Sequence, residues 1–250
     1  MSEQNSGQPA RRTTNGSTPV SQTLICELTS ILERLDPVKL FPKEQPLEIE
    51  LGSGDGSYLV EYAARHPERN FIGVERLLGR IRKLERKGRR AGLANLRGVR
   101  IESSYFLQYL LPPHSATALH IYFPDPWPKR KHRRHRLVNE RFPGLAHQAL
   151  APGGSVFLRT DDQDYFTQML EVFAASPLFQ PVQTPGELVE ILTDFEKDFH
   201  ARGIKTLRAA YQSLDVNHRS IAAAAGAGRT AVALEADAGS ADAGEDVQKR

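Results

Sequence analysis

Between residues 47 and 159, short apolar runs alternate with stretches of helical periodicity. Residues 47–51, 71–75, 99–101, 118–123 and 156–159 are each too short for a stable helix, are rich in β-branched, Leu and aromatic side chains, and read as strands. Residues 58–65, 77–91 and about 137–150 carry apolar positions three and four apart and read as helices. Residues 52–56 and Ala151-Pro152-Gly153-Gly154 read as turns, and Asp161 or Asp162 is placed to cap a further helix running to about Ala175. Strand–helix alternation at this spacing predicts βαβ units and a mainly parallel sheet with helices on both faces. Residues 187–211 are less regular and predict a helix plus one or two edge strands.

Composition sets the limits of this unit. Residues 1–20 are rich in Ser, Thr, Gln, Asn and Gly, and 215–250 in Ala, Gly and acids. Both have too little to bury and are expected to be disordered, leaving 21–214 as one folded domain. A 40% hydrophobic content suffices for a sizeable core. The single cysteine, Cys26, excludes an internal disulfide and an all-cysteine metal cluster, and suits a reducing compartment. The first twenty residues lack a signal peptide's apolar segment, and no apolar run approaches the ~18 residues that span a bilayer. A soluble, cytoplasmic protein is expected.

Charge changes the picture more than composition does. The formal net charge is only +3, yet 76–136 holds sixteen Lys/Arg against three acids, so the remainder is strongly acidic. Arg76, Arg80, Lys83, Lys87 and Arg90 recur at helical spacing along one face of the second helix. A second concentration follows the fourth strand: Phe123-Pro124-Asp125-Pro126-Trp127-Pro128, then Lys129, Arg130, Lys131, His132, Arg133, Arg134, His135 and Arg136. Prolines fix φ and restrict the residue before them, so Asp125 and Trp127 are held in a narrow range of positions. Beside them, the cations suit a polyanion, on the strand edge where open α/β sheets bind ligands. A solvated charged surface is the plainer reading of both clusters. His132 and His135 have metal-like spacing, but no clustered Cys or acid completes a site, so they extend the cationic patch and no metal is expected.

The glycine loop points to a cofactor. In Glu50-Leu51-Gly52-Ser53-Gly54-Asp55-Gly56 the alternating glycines let the backbone turn and approach a ligand, and Glu75 ends the next strand where it can accept from ribose hydroxyls. A dinucleotide would require G-x-G-x-x-G. The spacing here differs, and Glu50 would repel a pyrophosphate while suiting an ammonium. S-adenosylmethionine, with its amino group and ribose diol, fits better than NAD, and Glu102 after the third strand is placed at the adenine or ribose edge.

Together these residues resemble the bacterial tRNA (guanine-N7-)-methyltransferases, a family with a Rossmann-like class I methyltransferase fold. The resemblance rests on Glu-x-Gly-x-Gly-x-Gly at 50–56, Gly-Val-Glu at 73–75, the proline-framed Asp-Trp motif with its basic tail at 123–136, Thr160-Asp161, and Thr193-Asp194-Phe195-Glu196. It implies a seven-stranded sheet and formation of N7-methylguanosine at variable-loop position 46 of tRNA, by a monomer or homodimer. It also implies that Glu50, Glu75, Glu102 and Asp125 contact the cofactor and that Asp125 is the catalytic residue. Lys129, Asp161, Thr193, Asp194, Phe195 and Glu196 would bind substrate, and residues 131–136 would contact RNA. Two positions depart from the family pattern: Glu102 stands where Asp is common, and Asp194 where Lys is common.

Methylation at guanine N7 asks little of a base, because the nucleophile is an unprotonated lone pair. Asp125 therefore reads as an electrostatic and positioning group. Trp127 either stacks on the base or packs beneath the loop. The competing readings are a methyltransferase for another RNA, a DNA or a protein, a non-catalytic RNA-binding protein, and an NAD dehydrogenase. The last would need an acid/base pair such as Tyr-x-x-x-Lys, which is missing from the chain.

Overall fold

The computed structural model describes residues 23–215, so the expected arm at 1–20 and almost all of the expected tail at 215–250 lie outside the described residues. In chain order the elements are β1 (Ile25–Cys26), α1 (Pro37–Leu40), β2 (Leu47–Leu51), α2 (Ser57–Arg65), β3 (Asn70–Val74), α3 (Leu78–Arg90), β4 (Leu96–Val99) and α4 (Ser103–Tyr105). A π-helical turn (Phe106–Leu110), β5 (Ala116–Tyr122), a 3-10 turn (Arg130–His135), α5 (Phe142–Ala149), β6 (Leu150–Thr160) and α6 (Gln163–Ala174) follow. The chain continues through β7 (Phe179–Val182), α7 (Gly186–Glu190), α8 (Asp194–Ala201) and β8 (Leu207–Ser213).

The strands form one sheet in the order β1-β4-β3-β2-β5-β6-β8-β7. The first six of these pair in parallel, while β8 runs antiparallel to both β6 and β7. There are eight strands where seven were expected, because Ile25–Cys26 extends the edge by pairing with Gly98 and Val99. Strand order reverses between β2 and β5, which opens a crevice at their C-terminal ends.

Period-2 alternation divides the sheet into two faces. Leu47, Ile49 and Leu51 of β2, with Leu119, Ile121, Val156 and Leu158, pack under α5 and α6. Phe71, Leu96 and Tyr122 face the other way, against Tyr58, Leu59, Ile81, Leu84, Leu188 and Ile191. Among the described residues, no helix is long and apolar enough to cross a membrane.

Several boundaries differ from expectation for identifiable reasons. The third strand lies at Leu96–Val99, earlier than 99–101. Arg97 hides it in the sequence: the side chain is buried, bonded to the carbonyls of Ala94 and Leu96, and stacked over Phe41. Pro143 opens α5, so the helix expected over 137–150 begins only at Phe142. The expected turn at 151–154 lies inside β6, where the register with β5 jumps from Ala116↔Leu150 to Ala118↔Ser155. Its Pro-Gly-Gly makes a bulge inside the strand instead of a turn ahead of it. Asp162, and not Asp161, caps α6 by accepting from the Tyr165 N–H at 2.7 Å. The C-terminal part holds two short helices, and β8 is interior rather than an edge.

Candidate active site

A cavity of about 570 Å³ opens at the C-terminal ends of the strands, lined among others by Gly52, Glu75, Arg80, Glu102, Asp125, Trp127 and His135. The fold thus brings the glycine loop, the strand-end acids and the proline-framed loop to one place. Gly52, Gly54 and Gly56 all have φ between +56° and +82°, a region costly for any side chain with a Cβ. A Cβ at Gly52 or Gly54 would meet open space, whereas one at Gly56 would meet Leu84 at 2.7 Å. Gly56 therefore serves close packing of α2 on α3, and the first two glycines leave the side open to a ligand.

Glu50 is fully buried behind this loop, and its Oε2 finds no hydrogen-bond partner among the described residues. Burial pushes its carboxyl up to about 8. Arg159 opposes that rise, and Asp55 and Glu75 reinforce it. Glu75, also buried, accepts from the Leu77 N–H at 2.8 Å and lies 3.9 Å from Arg80. Glu102 caps α4 with both oxygens, accepting from the N–H groups of Ser104 (2.9 Å) and Tyr105 (2.8 Å).

Asp125 is exposed at the cavity mouth. Phe123 and Trp127, on either side of it, adopt φ of +50° and +43°. Such left-handed residues cost on the order of 1–3 kcal/mol each and persist only where their surroundings over-determine them. The Phe123 N–H donates to the Arg159 carbonyl at 2.8 Å, and its ring lies 5.6 Å from that of Phe199. The Trp127 ring lies 5.8 Å from His132 and 5.2 Å from His135. Lys129, Lys131, Arg133, Arg134 and His135 are exposed, and His132 is half-buried. Among the described residues, no group of three or more His, Cys, Asp and Glu converges on a metal position.

Three expected substrate contacts are turned away from the substrate side. Arg136 is 1% exposed, paired with Asp164 at 2.6 Å and stacked over Tyr165. It is an internal anchor, not part of an RNA-facing strip. Thr193 and Glu196 form a reciprocal capping box at the start of α8. The buried Glu196 carboxylate is taken up by Arg159 (2.8 Å), Arg208 (3.0 Å) and the Thr193 N–H (2.9 Å), leaving it nothing to offer a substrate. The Thr-x-x-Glu spacing is itself the sequence signature of such a box. Asp161 is exposed but outside the cavity wall, while Phe195 is exposed 6.4 Å from the Phe123 ring. Lys87 also leaves the expected cationic ridge: it binds Asp55 of the glycine loop at 2.8 Å.

The site has a buried polar backing that periodicity does not reveal. His120 joins Glu48 (2.7 Å) to the Tyr122 hydroxyl (2.8 Å), and Arg159 lies 4.0 Å over the Tyr122 ring. The His120 bond is the largest effect lowering the Glu48 carboxyl, and it outweighs, with Arg69, the burial that would raise it. In sequence the only signal is that polar residues occupy one phase of otherwise apolar strands.

A family model described as "Putative methyltransferase" matches residues 44–209. The chain is 36% identical over 176 residues to the tRNA (guanine-N(7)-)-methyltransferase of Aeromonas hydrophila subsp. hydrophila, covering 68% of this chain and 74% of that one. It is 35% identical to the protein of the same name from Myxococcus xanthus, covering 66% of this chain and 82% of the relative. The match to the namesake from Rubrobacter xylanophilus is 41% identical but covers 56% of this chain and 63% of that protein, a little under two thirds. The chain belongs to the tRNA (guanine-N7-)-methyltransferase family.

Solved structures agree on the fold. The 16S rRNA methyltransferase KamB superposes with a TM-score of 0.52 at 15% identity, over 71% of this chain and 92% of that one. TrmN from Thermus thermophilus gives 0.50 at 15% identity, over 71% and 47%. In this chain the two departures from the family pattern have local explanations. The longer side chain of Glu102 reaches both N–H groups of its own helix start. Asp194 faces Lys87 at 3.8 Å and Lys197 at 3.3 Å, so its charge is matched by cations on two helices.

Proposed function

We propose that this methyltransferase uses S-adenosylmethionine to methylate N7 of a guanosine in tRNA, at variable-loop position 46, in the cytoplasm. The observation that carries the reading is the single cavity in which Asp125, Glu75 and the open side of Gly52 meet, bordered by exposed cations. The residues suit the cofactor. Glu50 offers a buried carboxylate oxygen without a partner, fit for an ammonium, and Gly52 and Gly54 leave room for a close approach. Glu75 is a strand-end acid suited to a ribose diol. When bound, the cofactor supplies an electrophilic methyl group. Glu102, which spends both oxygens on its cap, is a weaker candidate for a cofactor contact than Glu75.

Guanine N7 attacks through its own lone pair, so the protein removes no proton from the nucleophile. Positive charge grows on the imidazole ring of the base as the methyl transfers. The Asp125 carboxylate stabilises that charge, or holds N1–H and N2–H so that N7 is aligned with the methyl. Incubating the protein with labelled S-adenosylmethionine and unmodified tRNA, then treating with borohydride and aniline, tests this directly. Strand cleavage should occur at one variable-loop position, only with enzyme and cofactor together. Methylation at another atom or in another RNA would overturn the substrate while leaving the fold intact.

The cations make a separate prediction. The 3-10 turn borders the cavity on one side, and Arg82, Lys83, Arg86 and Arg90 are exposed along α3 on the other. If they neutralise about six phosphates together, log K for tRNA falls against log salt with a slope of roughly −4 to −5. Replacing Lys131, Arg133 and Arg134 by Ala should flatten the slope and leave cofactor affinity unchanged. A slope near zero in the parent protein would remove the electrostatic RNA surface.

A further inference from the structure

We propose that Arg136 is a positioning residue for methyl transfer, a buried guanidinium that holds the Asp125 carboxylate in place by gripping the loop at Pro126. Although it ends a run of exposed cations, its own side chain turns inward. Nε donates to the Pro126 carbonyl at 2.6 Å, Nη1 to Gln168 Oε1 at 2.7 Å, and Nη2 to Asp164 Oδ2 at 2.6 Å. The guanidinium carbon lies 4.7 Å from the Tyr165 ring centroid. Asp164, Tyr165 and Gln168 all belong to α6. Val138, two residues on, is fastened to the same helix: its N–H donates to the Tyr165 hydroxyl and its carbonyl accepts from Gln168. One planar group therefore ties the loop to a rigid helix.

The loop needs such a tie. Pro124, Pro126 and Pro128 carry no N–H, which leaves fewer backbone donors to fasten the segment. Phe123 and Trp127 are held in left-handed backbone on both sides of Asp125, a conformation that relaxes unless its surroundings enforce it. The Pro126 carbonyl is adjacent to Asp125, so a bond there restricts the acid more directly than any contact with a side chain farther along. Only the forked guanidinium can serve three acceptors in one plane; a lysine ammonium at the same position cannot reach all three.

Asp164 adds a connection to the surface. Its Oδ2 takes Arg136 while its Oδ1 takes the exposed Arg133 at 2.8 Å. The hydrogen bond from Arg136 is the largest effect holding the Asp164 carboxyl below its ordinary range. A phosphate that draws on Arg133 thus acts on the carboxylate that also braces the grip on the loop.

This inference rests on Asp125 acting in the reaction, and the test separates the two. Steady-state kinetics of the full chain with tRNA and S-adenosylmethionine are measured for Arg136→Lys, Asp164→Asn and Asp125→Ala, each well below its melting temperature. Trp127, the chain's one tryptophan, reports the loop by emission and acrylamide quenching. For Arg136→Lys, kcat should fall about 10- to 100-fold with KM for tRNA within about threefold, and Trp127 should become more accessible. Asp164→Asn, at a half-exposed position, should lower kcat by a smaller factor with the same fluorescence signature, and it carries the test if the Arg136 variant does not fold. A raised KM for tRNA with unchanged kcat would make Arg136 an RNA contact and overturn the proposal. So would parental kcat in both variants while Asp125→Ala is inactive. Parental turnover in Asp125→Ala would instead remove the reading on which the inference stands.

Discussion

Replacing Asp125 with Ala should lower turnover by about 10²- to 10³-fold, the usual cost of removing one preorganised electrostatic partner of a developing charge. Affinity for tRNA should change by less than about threefold, because phosphate contacts dominate nucleic-acid binding. Asp125 is exposed at the cavity mouth and carries one charge against the many cations around it. Its removal takes away a group matched to the transition state and leaves the polyanion surface in place, so kcat and kcat/KM should fall together. Asp125→Asn separates the two parts of its role. An amide still accepts a hydrogen bond from the base but offers no net charge. A small loss would rule out net charge as the main contribution, and a loss nearly as large as in the Ala variant would show that the charge or the second acceptor oxygen is required. Single-turnover measurements with saturating tRNA and cofactor provide the comparison, and a parental rate in both variants would end the catalytic assignment.

The parts of this site that were legible in the sequence are those that local chemistry dictates. The glycines at 52 and 54 follow from the turn itself, Glu75 from its place at a strand end, and the Asp125 loop from its prolines. What sequence could not reveal was the direction in which charged side chains point. The 3-10 turn stops at His135 and Arg136 follows in extended backbone, so the end of the basic run diverges from the rest: Arg134 is exposed and Arg136 is buried. The same limit hid Arg97 and Arg159, whose charges sit inside the fold because carbonyls, rings or a carboxylate receive them. Glu196 is a different case. Its Thr-x-x-Glu spacing is a readable capping signature, and the folded chain forms that capping box in place of the substrate contact that the family resemblance implies. The turn expected at 151–154 failed for a topological reason. A Pro-Gly-Gly segment separates a helix from a strand when the chain turns there, yet here Leu150 before it and Ser155 after it pair in the same ladder with β5.

Glu50→Gln should make the protein more stable and less able to bind its cofactor. The ordinary carboxyl value is 4.5, and in the folded protein burial raises it to about 8. Between those values the folded chain retains a proton that the unfolded chain gives up, so stability falls as pH rises through that window. Each pH unit costs about 1.4 kcal/mol in the limit of a rigid site. The Gln variant keeps a neutral group of the same shape at every pH. Its melting temperature should match the parent's near pH 4.5 and exceed it at pH 8, by the equivalent of roughly 1–3 kcal/mol after relaxation of the site. Cofactor binding reverses the preference. To pair with an ammonium the carboxyl must be ionised, so binding at pH 7 should release a proton from the parent protein. Calorimetry in buffers of different ionisation enthalpy detects that proton, and the Gln variant should show none from this group. Its cofactor affinity should fall about 100-fold or more, on the order of 3 kcal/mol, because one partner of a buried charge pair is gone. Lower stability at pH 8 with unchanged cofactor affinity would show that Glu50 is satisfied by the protein alone. The opposite pattern would mean that the fold accepts an unfavourable buried acid because the ligand needs its charge.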